Sequence, residues 1–593
     1  MSGGSMIFGS EIPNHRLKWW QSAVFYQIYP RSFADGDGDG IGDFPGIIQK
    51  LDYLQDLGID AIWLSPHFPS PQYDCGYDIS DYKAVAPEYG TMTDFTHFLS
   101  EAHRRGIRVV LDLVLNHTSH QHPWFVESRS SRNNPQRDWY VWNDGRRDAA
   151  GNQIPPNNWD STFDGTAWEY DELTRQYYYH FFLKQQPDLN WRNPAVRQAM
   201  WDAVRFWLDL GVDGYRLDAI ATIFEHPSLI DYQLDLTVAQ LRHQFRNAST
   251  QDERKQIHSL IELRHSLQLR QPGMHELMQE LRTVVNEYGD SVLIGEEDTL
   301  DYYGDGDNEL HLVFNFPLMR NEQLTPAWIR YNQQERLAGL AAISPHTWPC
   351  NTLGNHDSPR IFNQFGDGVH DFQLAQLSLA LMLTLRGTPV LYYGEEIGMT
   401  DLYLEDIDQF RDITGIWQYH NEIQEFGTPA DQALRIAAGY TRDKCRTPMQ
   451  WQNTANAGFS PAGIQPWLPV NPNFASGVNV RDQLNQSGSL LNFYRGMLRF
   501  RKNTSALIRG SYAPIHEGAK EYLAFIREAD SQKCLVILNY SAAPQDILLD
   551  FTHQPIQPIF SNQANRVTEP VQHQIQVKPY EILVAAIGNL QAG

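Results

Sequence analysis

The sequence predicts an α/β fold, a (β/α)8 TIM barrel, from apolar segments that each end in polar residues. Runs of β-branched and leucine residues bounded in this way are typical of buried parallel strands. The carboxyl ends of the strands in such a barrel meet at one face, where active sites lie. Four of these segments are GVDGYRLDA (211–219), VVLDLVLNH (109–117), SVLIGE (291–296) and TLGNHD (352–357).

The segment at 211–219 brings an arginine and an aspartate to one strand end. Because alternate strand residues point the same way, Arg216 and Asp218 share a face. A neighbouring guanidinium lowers the pKa of a carboxyl group and keeps it ionised, and an oriented carboxylate can attack a sugar carbon. Asp218 is therefore a candidate nucleophile. The alternative is a structural ion pair at the end of a strand.

The remaining elements follow in chain order. Eight strands are predicted, at residues 23–30, 59–65, 109–117, 211–219, 291–296, 310–316, 350–355 and 390–394. The regular alternation lapses after the third strand, over a segment too long for a barrel connection. Near the C-terminus, alternating strands replace helical spacing. The predicted domains are a catalytic barrel at 15–117 and 186–504 with inserts at about 224–275 and 399–450, an inserted B domain at 118–185, and a C-terminal antiparallel β-sandwich domain at 505–593.

Composition limits the partners. The chain has 593 residues and a formal net charge of −24, which argues against nucleic acid or an anionic membrane as partner. No apolar run is long enough to span a bilayer, and the start of the chain has no secretory signal pattern. Four scattered cysteines are too few for a disulfide framework, so we expect reduced thiols and a cytoplasmic location.

An acidic, glycine-rich loop, DGDGDGIGD at 35–43, follows the first strand. Clustered carboxylates repel one another unless a hard cation lies among them, and oxygen ligands favour Ca²⁺ or Mg²⁺. The loop departs from the EF-hand pattern, which needs a glutamate at its twelfth position. It predicts a structural metal site, with a solvated turn as the alternative. No organic cofactor is expected.

Taken together, the motifs make the chain resemble glycoside hydrolase family 13, the α-amylase family, and within it the oligo-1,6-glucosidase, α-glucosidase and maltase group. The resemblance runs from Val24 to the C-terminal strands. The motifs that carry it are DLVLNH (112–117), QPDLN (186–190), GVDGYRLDA (211–219), LIGE (293–296), GNHD (354–357) and GTPVLYYGEE (387–396). It implies Asp218 as nucleophile, Glu296 as general acid/base and Asp357 as transition-state stabiliser.

The same resemblance implies a substrate pocket and the ligands of the metal. Asp74 and Tyr77 would hold the nonreducing terminal glucose, with Arg442 as the partner of Asp74 and Arg446 as the alternative. The other implied substrate-binding residues are His117, Phe163, Phe182, Arg216, Ala219 and His356. The implied metal ligands are Asp35, Asp37, Asp39, the carbonyl of Ile41, and Asp43.

The predicted chemistry is a retaining double displacement by two carboxyl groups roughly 5 Å apart. The LIGE motif places no cation next to Glu296, and its neighbour Glu297 should point the other way. In the resembling group, alanine or threonine after the nucleophile goes with α-1,4 links and valine with α-1,6 links. Ala219 thus predicts an exo-acting α-glucosidase that releases α-glucose from maltose, short maltooligosaccharides or sucrose, with some transglucosylation.

Two alternatives stay open. Trehalose synthase and sucrose isomerase share this machinery but retain and re-add the leaving sugar. A noncatalytic scaffold of the same fold is a more distant alternative, since such relatives lack parts of the catalytic set that this chain keeps. For the enzyme we expect a small oligosaccharide or glucoside as substrate, and a monomer or homodimer.

Overall fold

A computed structural model describes Phe8 and residues 17–163, 165–321, 323–566 and 569–588. Its centre is a barrel of eight strands. These are β1 Phe25–Ile28, β2 Ala61–Leu64, β3 Arg108–Val114, β4 Gly214–Asp218, β5 Val292–Gly295, β6 Leu312–Val313, β7 Cys350–Thr352 and β8 Thr388–Tyr392. The predicted (β/α)8 barrel is confirmed.

Parallel pairing closes the barrel. Each strand pairs with the next along the chain from β1 to β6, β7 pairs with β8, and β8 returns to β1. The last gap, between β6 and β7, is joined by a parallel bridge from Phe314 to Cys350. Seven of these eight strands are shorter than the sequence predicted, and five of the seven lose residues at both ends.

Helices surround the barrel. The connection from β5 to β6 is a single 3-10 turn, Leu300–Tyr303, and the others contain α-helices. Several of these helices begin at side-chain caps, such as Asp43 accepting from the Gly46 N–H and the Thr91–Asp94 capping box. These helices are Phe44–Leu57, Met92–Arg104, Pro194–Asp209, Met274–Asn286, Pro326–Ile343, Asp371–Thr384 and Leu490–Lys502. Shorter helices are Trp19–Ser22, Pro30–Phe33, Pro123–Ser130, Phe316–Met319, Ile361–Phe365, Val480–Leu484 and Ser505–Arg509.

Side chains alternate between two cores. In β2, Ala61 and Trp63 point into the barrel, while Ile62 and Leu64 pack outward against helices. Both faces of the strands are buried, as expected of a parallel sheet covered by helices. Among the described residues, the helices are all too short or too polar to cross a bilayer.

Three excursions lie at the carboxyl-terminal face of the barrel. The first contains strands Trp142–Asn143, Gln176–Tyr179 and Trp168–Asp171 in one antiparallel sheet and the pair Arg146–Arg147 and Gln153–Ile154. The second contains helices Val238–Asn247 and Gln251–His265, and the third contains helices Ile413–Gln424 and Ala430–Tyr440.

The three excursions contact one another. Arg264 Nε of the second lies 2.9 Å from Asp160 Oδ2 of the first. Arg246 of the second pairs with the buried carboxylate of Glu422 in the third, and the rings of His243 and Phe426 stack 3.8 Å apart.

The C-terminal region is an antiparallel β domain. Its five-stranded sheet has the order Ser511–Ile515, Tyr522–Ala529, Gln532–Asn539, Ile582–Ile587 and Ile556–Ser561. A second sheet pairs Gln545–Leu548 with Gln574–Val577, and a separate apolar core lies between the two sheets. The predicted C-terminal antiparallel domain is confirmed.

Candidate active site

The barrel interior holds a charged cluster built around Arg216. Arg216 points inward from β4 because both of its chain neighbours pack outward. Its Nη1 lies 2.6 Å from Asp218 Oδ1 and 2.7 Å from Asp112 Oδ1. Its Nη2 lies 2.7 Å from Glu296 Oε2. One guanidinium is thus shared by three carboxyl groups, from β3, from β4 and from the residue that follows β5.

Burial affects protonation in this cluster more than Arg216 does. Burial raises the pKa of Asp218 well above its ordinary value, Arg216 opposes the rise, and the carboxyl groups of Glu296 and Asp112 add to it. Burial also raises the pKa of Asp112 to about 6. The sequence-based expectation of a lowered pKa at Asp218 was therefore wrong, because one guanidinium does not offset both burial and two further carboxyl groups. The balance of charge disfavours ionisation of all three carboxyl groups at once.

Glu296 is held by two donors on one of its oxygens. Its Oε2 accepts from the Ala219 backbone N–H at 2.8 Å and lies against Arg216. Both contacts are made by the same oxygen, so Oε1 takes part in neither of them. The sequence predicted no cation beside Glu296, and this prediction is wrong because Arg216 reaches it from the adjacent strand. Glu297 lies apart from this cluster and pairs with Arg270 at 2.7 Å.

Asp357, at the end of β7, has different surroundings. Arg446 Nη2 lies 2.6 Å and Arg442 Nη1 lies 3.4 Å from its Oδ1, and His356 Nε2 is 3.2 Å from its Oδ2. Burial would raise the pKa of Asp357, but the interactions with His356, Arg446 and Arg442 together outweigh burial and hold the pKa well below its ordinary value. About a third of the Asp357 side chain, 32%, is exposed. It is an ionised carboxylate facing open space.

Arg442 joins Asp357 to the predicted sugar-binding aspartate. Its Nη2 lies 2.8 Å from Asp74 Oδ1, so of the two candidate arginines Arg442 contacts Asp74, whereas Arg446 contacts Asp357. The same nitrogen lies 2.6 Å from the fully buried Asp412. Burial raises the pKa of Asp74, and Arg442 counteracts that rise.

Two histidines and a tyrosine connect these groups. Tyr77 Oη lies 2.6 Å from His356 Nε2 and donates to Asp112 Oδ2 at 3.1 Å. Gln186 Nε2 donates to Asp74 Oδ2 at 3.0 Å and lies 2.9 Å from His117 Nε2. Burial lowers the pKa of His117 to about 3, and it lowers the pKa of His356 well below the ordinary value. Both imidazoles are therefore neutral hydrogen-bonding groups.

The two predicted wall aromatics meet in the first excursion. The rings of Phe163 and Phe182 are 5.8 Å apart, and Phe182 packs edge-on against His117 at 5.1 Å. The Arg442 guanidinium lies 5.8 Å from the centre of the Phe163 ring. The structure thus brings the predicted catalytic and substrate-binding residues into one connected group at the carboxyl-terminal face.

Three residues of this group received no role from the sequence. Asp112 and Gln186 lie within motifs that were recognised, so their motif positions were a usable signal. Asp412 lies in the third excursion, outside every motif. A lone aspartate there carries no pattern, and only the fold shows that it anchors Arg442.

The acidic loop forms a second, separate cluster. One carboxylate oxygen each from Asp35, Asp37 and Asp39 lies within 4.8 Å of the others. Asp43 lies outside that group, and its oxygens accept the backbone N–H groups of Gly46, Gly36 and Asp37. The Ile41 N–H donates to Asp39 at 2.8 Å. Three convergent carboxylates suit a hard cation such as Ca²⁺.

An eight-stranded barrel with carboxyl groups at the ends of β4, β5 and β7 has the site of a glycoside hydrolase. The comparison with known proteins supports this assignment. The alpha-amylase catalytic domain matches residues 27–510, and the chain belongs to this family, glycoside hydrolase family 13.

Two curated relatives illustrate the similarity. The oligo-1,6-glucosidase of Parageobacillus thermoglucosidasius is 39% identical over 538 residues, which are 88% of this chain and 90% of the relative. The alpha-glucosidase of Pediococcus pentosaceus is 39% identical over 515 residues, 84% of this chain and 87% of the relative.

Solved structures add a third type of enzyme. The trehalulose synthase of Pseudomonas mesoacidophila has a TM-score of 0.84 at 35% identity and covers 96% of this chain and 100% of its own. An isomaltulose synthase mutant of Erwinia rhapontici, bound to sucrose, has a TM-score of 0.84 at 36% identity and covers 97% of this chain and 100% of its own.

Proposed function

We propose that this enzyme is an exo-acting, retaining α-glucosidase that releases α-glucose from the nonreducing end of short α-glucosides. The observation that carries the proposal is the ion pair between Asp74 and Arg442, joined to Asp357 on one side and through Gln186 to His117 on the other. These contacts form a continuous polar wall beside Asp357. We infer that this wall encloses one terminal glucose unit, which supports attack on chain ends over attack inside a polymer.

The proposed reaction has two steps. Asp218 attacks C1 of the terminal glucose while Glu296 gives its proton to the leaving glycosidic oxygen, so that a covalent glucosyl-enzyme forms and the leaving sugar departs. Glu296, now ionised, takes a proton from water, which attacks C1 and restores Asp218. Two inversions at C1 give α-glucose. Asp357, ionised between two guanidiniums, holds hydroxyl groups of the ring as charge develops on it.

We further propose α-1,4 links as the preferred substrates, on the basis of Ala219. The relatives named as oligo-1,6-glucosidases favour the opposite preference, so the decisive measurement is the kcat/KM of the purified enzyme on maltose, isomaltose and sucrose. A higher value on maltose or sucrose than on isomaltose supports the proposal. A value on isomaltose well above that on maltose would refute it.

Sucrose isomerisation is the second candidate, favoured by the likeness to trehalulose and isomaltulose synthases over 96–97% of the chain. Chromatography of the products formed from sucrose separates the two. Free glucose and fructose in equal amounts support hydrolysis. A disaccharide isomer of sucrose as the main product would establish the second candidate.

The acidic loop is proposed to bind Ca²⁺ through Asp35, Asp37 and Asp39, with the carbonyl of Ile41 and Asp43 as further ligands. Binding to the folded state alone raises stability with metal concentration. We expect chelation to lower the Tm by several degrees and added Ca²⁺ to restore it, with a smaller response to Mg²⁺. The Asp37→Asn variant should not respond. Equal Tm values with and without chelator in the wild type would rule out the site.

The four cysteines are buried free thiols. Free thiols support a reducing compartment, and we propose that the enzyme is located in the cytoplasm. We further propose that it is a monomer or a homodimer.

A further inference from the structure

The three excursions are joined to one another in a closed ring. The first and second meet at Asp160, whose Oδ2 accepts from the first N–H of the helix Val238–Asn247 at 3.0 Å. The third and first meet where the Arg442 guanidinium lies 5.8 Å from the centre of the Phe163 ring. The second and third meet where the helix Val238–Asn247 contacts the helix Ile413–Gln424. Because all three excursions lie at the carboxyl-terminal face of the barrel, this ring surrounds the catalytic carboxyl groups there.

The contact between the second and third excursions consists of two side-chain pairs, and we call it the clasp. Arg246 of the second excursion pairs with Glu422 of the third. Beside this pair, the rings of His243 and Phe426 stack 3.8 Å apart. The Glu422 side chain is 1% exposed and that of Arg246 is 32% exposed. Water and salt therefore screen this ion pair less than a pair on the open surface.

Glu422 is also fixed within its own excursion, independently of Arg246. Gln418 Nε2 donates to its Oε1 at 2.8 Å, and Thr428 Oγ1 donates to its Oε2 at 2.8 Å. Loss of the Arg246 side chain would leave each oxygen of the buried carboxylate with a donor. Arg246 is thus a link between two excursions, and the third excursion does not depend on it for its local fold.

The helix that the third excursion contributes begins at the polar wall and ends at the clasp. The N-cap of Ile413–Gln424 is Asp412, which also lies 2.6 Å from Arg442 Nη2. An α-helix rises about 1.5 Å per residue, so Glu422 lies roughly 15 Å along the helix from Asp412. The clasp is therefore well separated from the site of the terminal glucose.

The helix of the second excursion has the same arrangement. Val238–Asn247 begins at Asp160, which lies shortly before the wall aromatic Phe163 in the first excursion. Arg246 is roughly 12 Å along this helix from its first residue. Both helices thus start beside the glucose-binding residues and meet again at a distance from them. A substrate longer than the space inside the ring has to pass the clasp.

We propose that the clasp is a specificity-determining element that keeps long α-glucan chains out of the active site. It joins two excursions into a fixed rim, so that a short substrate fits inside the ring and a long chain collides with the joined helices. It touches no atom of the terminal glucose. The proposal rests on the proposed exo-acting glucosidase function, and it names what limits the length of the substrate.

The test compares kcat/KM on maltose, maltoheptaose and 4-nitrophenyl α-glucoside for the wild type and Arg246→Gln. The ratio of maltoheptaose to maltose should rise about fivefold or more, because removing a steric block favours only the longer substrate. Hydrolysis of 4-nitrophenyl α-glucoside should stay within about twofold of the wild type. An unchanged ratio, or equal losses on all three substrates, would overturn the proposal. A wild-type enzyme that already prefers maltoheptaose to maltose would overturn it as well.

Two further variants support the comparison. Phe426→Ala removes the ring contact from the opposite excursion and should raise the same ratio, and it carries the test if Arg246→Gln does not fold. Arg435→Gln removes an arginine from an exposed pair in the third excursion and is the matched control. A rise in its ratio equal to that of Arg246→Gln would contradict a specific role for the clasp.

Failure of the inference and failure of the proposed function give different results. The wild-type enzyme is assayed first on 4-nitrophenyl α-glucoside. Absence of turnover would end the proposed function itself. Normal turnover together with an unchanged ratio in Arg246→Gln would end only the inference about the clasp.

Discussion

The two halves of the active site treat carboxyl groups in opposite ways. Around Arg216, one guanidinium serves three carboxyl groups, and burial raises the pKa of Asp218. Around Arg442 and Arg446, two guanidiniums serve Asp74, Asp357 and Asp412. There the positive charges overcome burial, and the pKa values of Asp357 and Asp412 lie well below the ordinary value.

The difference matches the chemistry required of each half. The reaction moves a proton only between Glu296 and the glycosidic oxygen or water, so a cluster short of positive charge is needed there to retain one. The arginine-rich half moves no proton. It has to offer fixed negative charge to a ring that becomes positive in the transition state. The number of guanidiniums in each half, one from strand β4 and two from the segment after β8, separates these two tasks.

The largest expected effect is loss of the nucleophile. Asp218→Asn should reduce kcat at least about 10⁴-fold, because no covalent intermediate can form. The fold should persist, since asparagine keeps the shape and still accepts from Arg216. Activity on 4-nitrophenyl α-glucoside and circular dichroism are the measurements, with the exposed Asp209→Asn as the matched control. Near-normal turnover in the Asp218 variant would show that Asp218 is not the nucleophile.

Sequence reasoning found the barrel and most of the site because the barrel ties both to strand ends. Each strand is an apolar run, and the first polar residues after it must lie at one face. The sequence-based prediction failed where side chains of different strands contact one another. No motif shows that Arg216 reaches Glu296, nor that burial outweighs Arg216 at Asp218.

Loop excursions set the other limit. Asp74 pairs with an arginine 368 positions later, and the choice between Arg442 and Arg446 depended on how the third excursion folds. Asp412 has no local signal at all. Such residues become visible only when the loops are placed over the barrel.

Loss of the acid should come second in size. Glu296→Gln should slow hydrolysis of maltose by about 10²–10⁴-fold, the usual contribution of a positioned acid. For a 2,4-dinitrophenyl glucoside, the loss in the rate of the first step should be far smaller. Glu297→Gln is the matched control, because it makes the same change at the neighbouring residue, whose buried carboxylate pairs with Arg270 outside the cluster. Equal losses on good and poor leaving groups would contradict the assignment of the proton to this half.

Removing a cation from the other half should have an intermediate effect. Arg442→Gln removes positive charge from Asp357, so the pKa of Asp357 should rise. The ionised form is then lost at higher pH as the solution is acidified, and the acidic limb of kcat/KM should move up. KM should also rise, by about 10–100-fold, since Asp74 loses its partner.

The matched control is Arg435→Gln, which breaks an exposed pair with Asp431 at 3.0 Å on the helix Ala430–Tyr440. It should leave both the pH profile and KM unchanged. An acidic limb that does not move in Arg442→Gln would show that Arg446 alone sets the charge of Asp357.

The smallest expected effect lies at the junction after the nucleophile. Ala219 adopts a left-handed backbone with φ of 41°, and its N–H holds Glu296 Oε2. A β-branched side chain is strained there, by about 1–3 kcal/mol. Ala219→Val should therefore lower the Tm by a few degrees. It should reduce activity on maltose about 3–10-fold, because the backbone N–H of residue 219 then holds Glu296 less firmly. It should also raise the ratio of isomaltose to maltose cleavage. Ala219→Gly, which adopts this backbone without strain, should keep both the Tm and the ratio. A valine variant with wild-type Tm and an unchanged ratio would show that residue 219 affects neither the acid nor the leaving-group side.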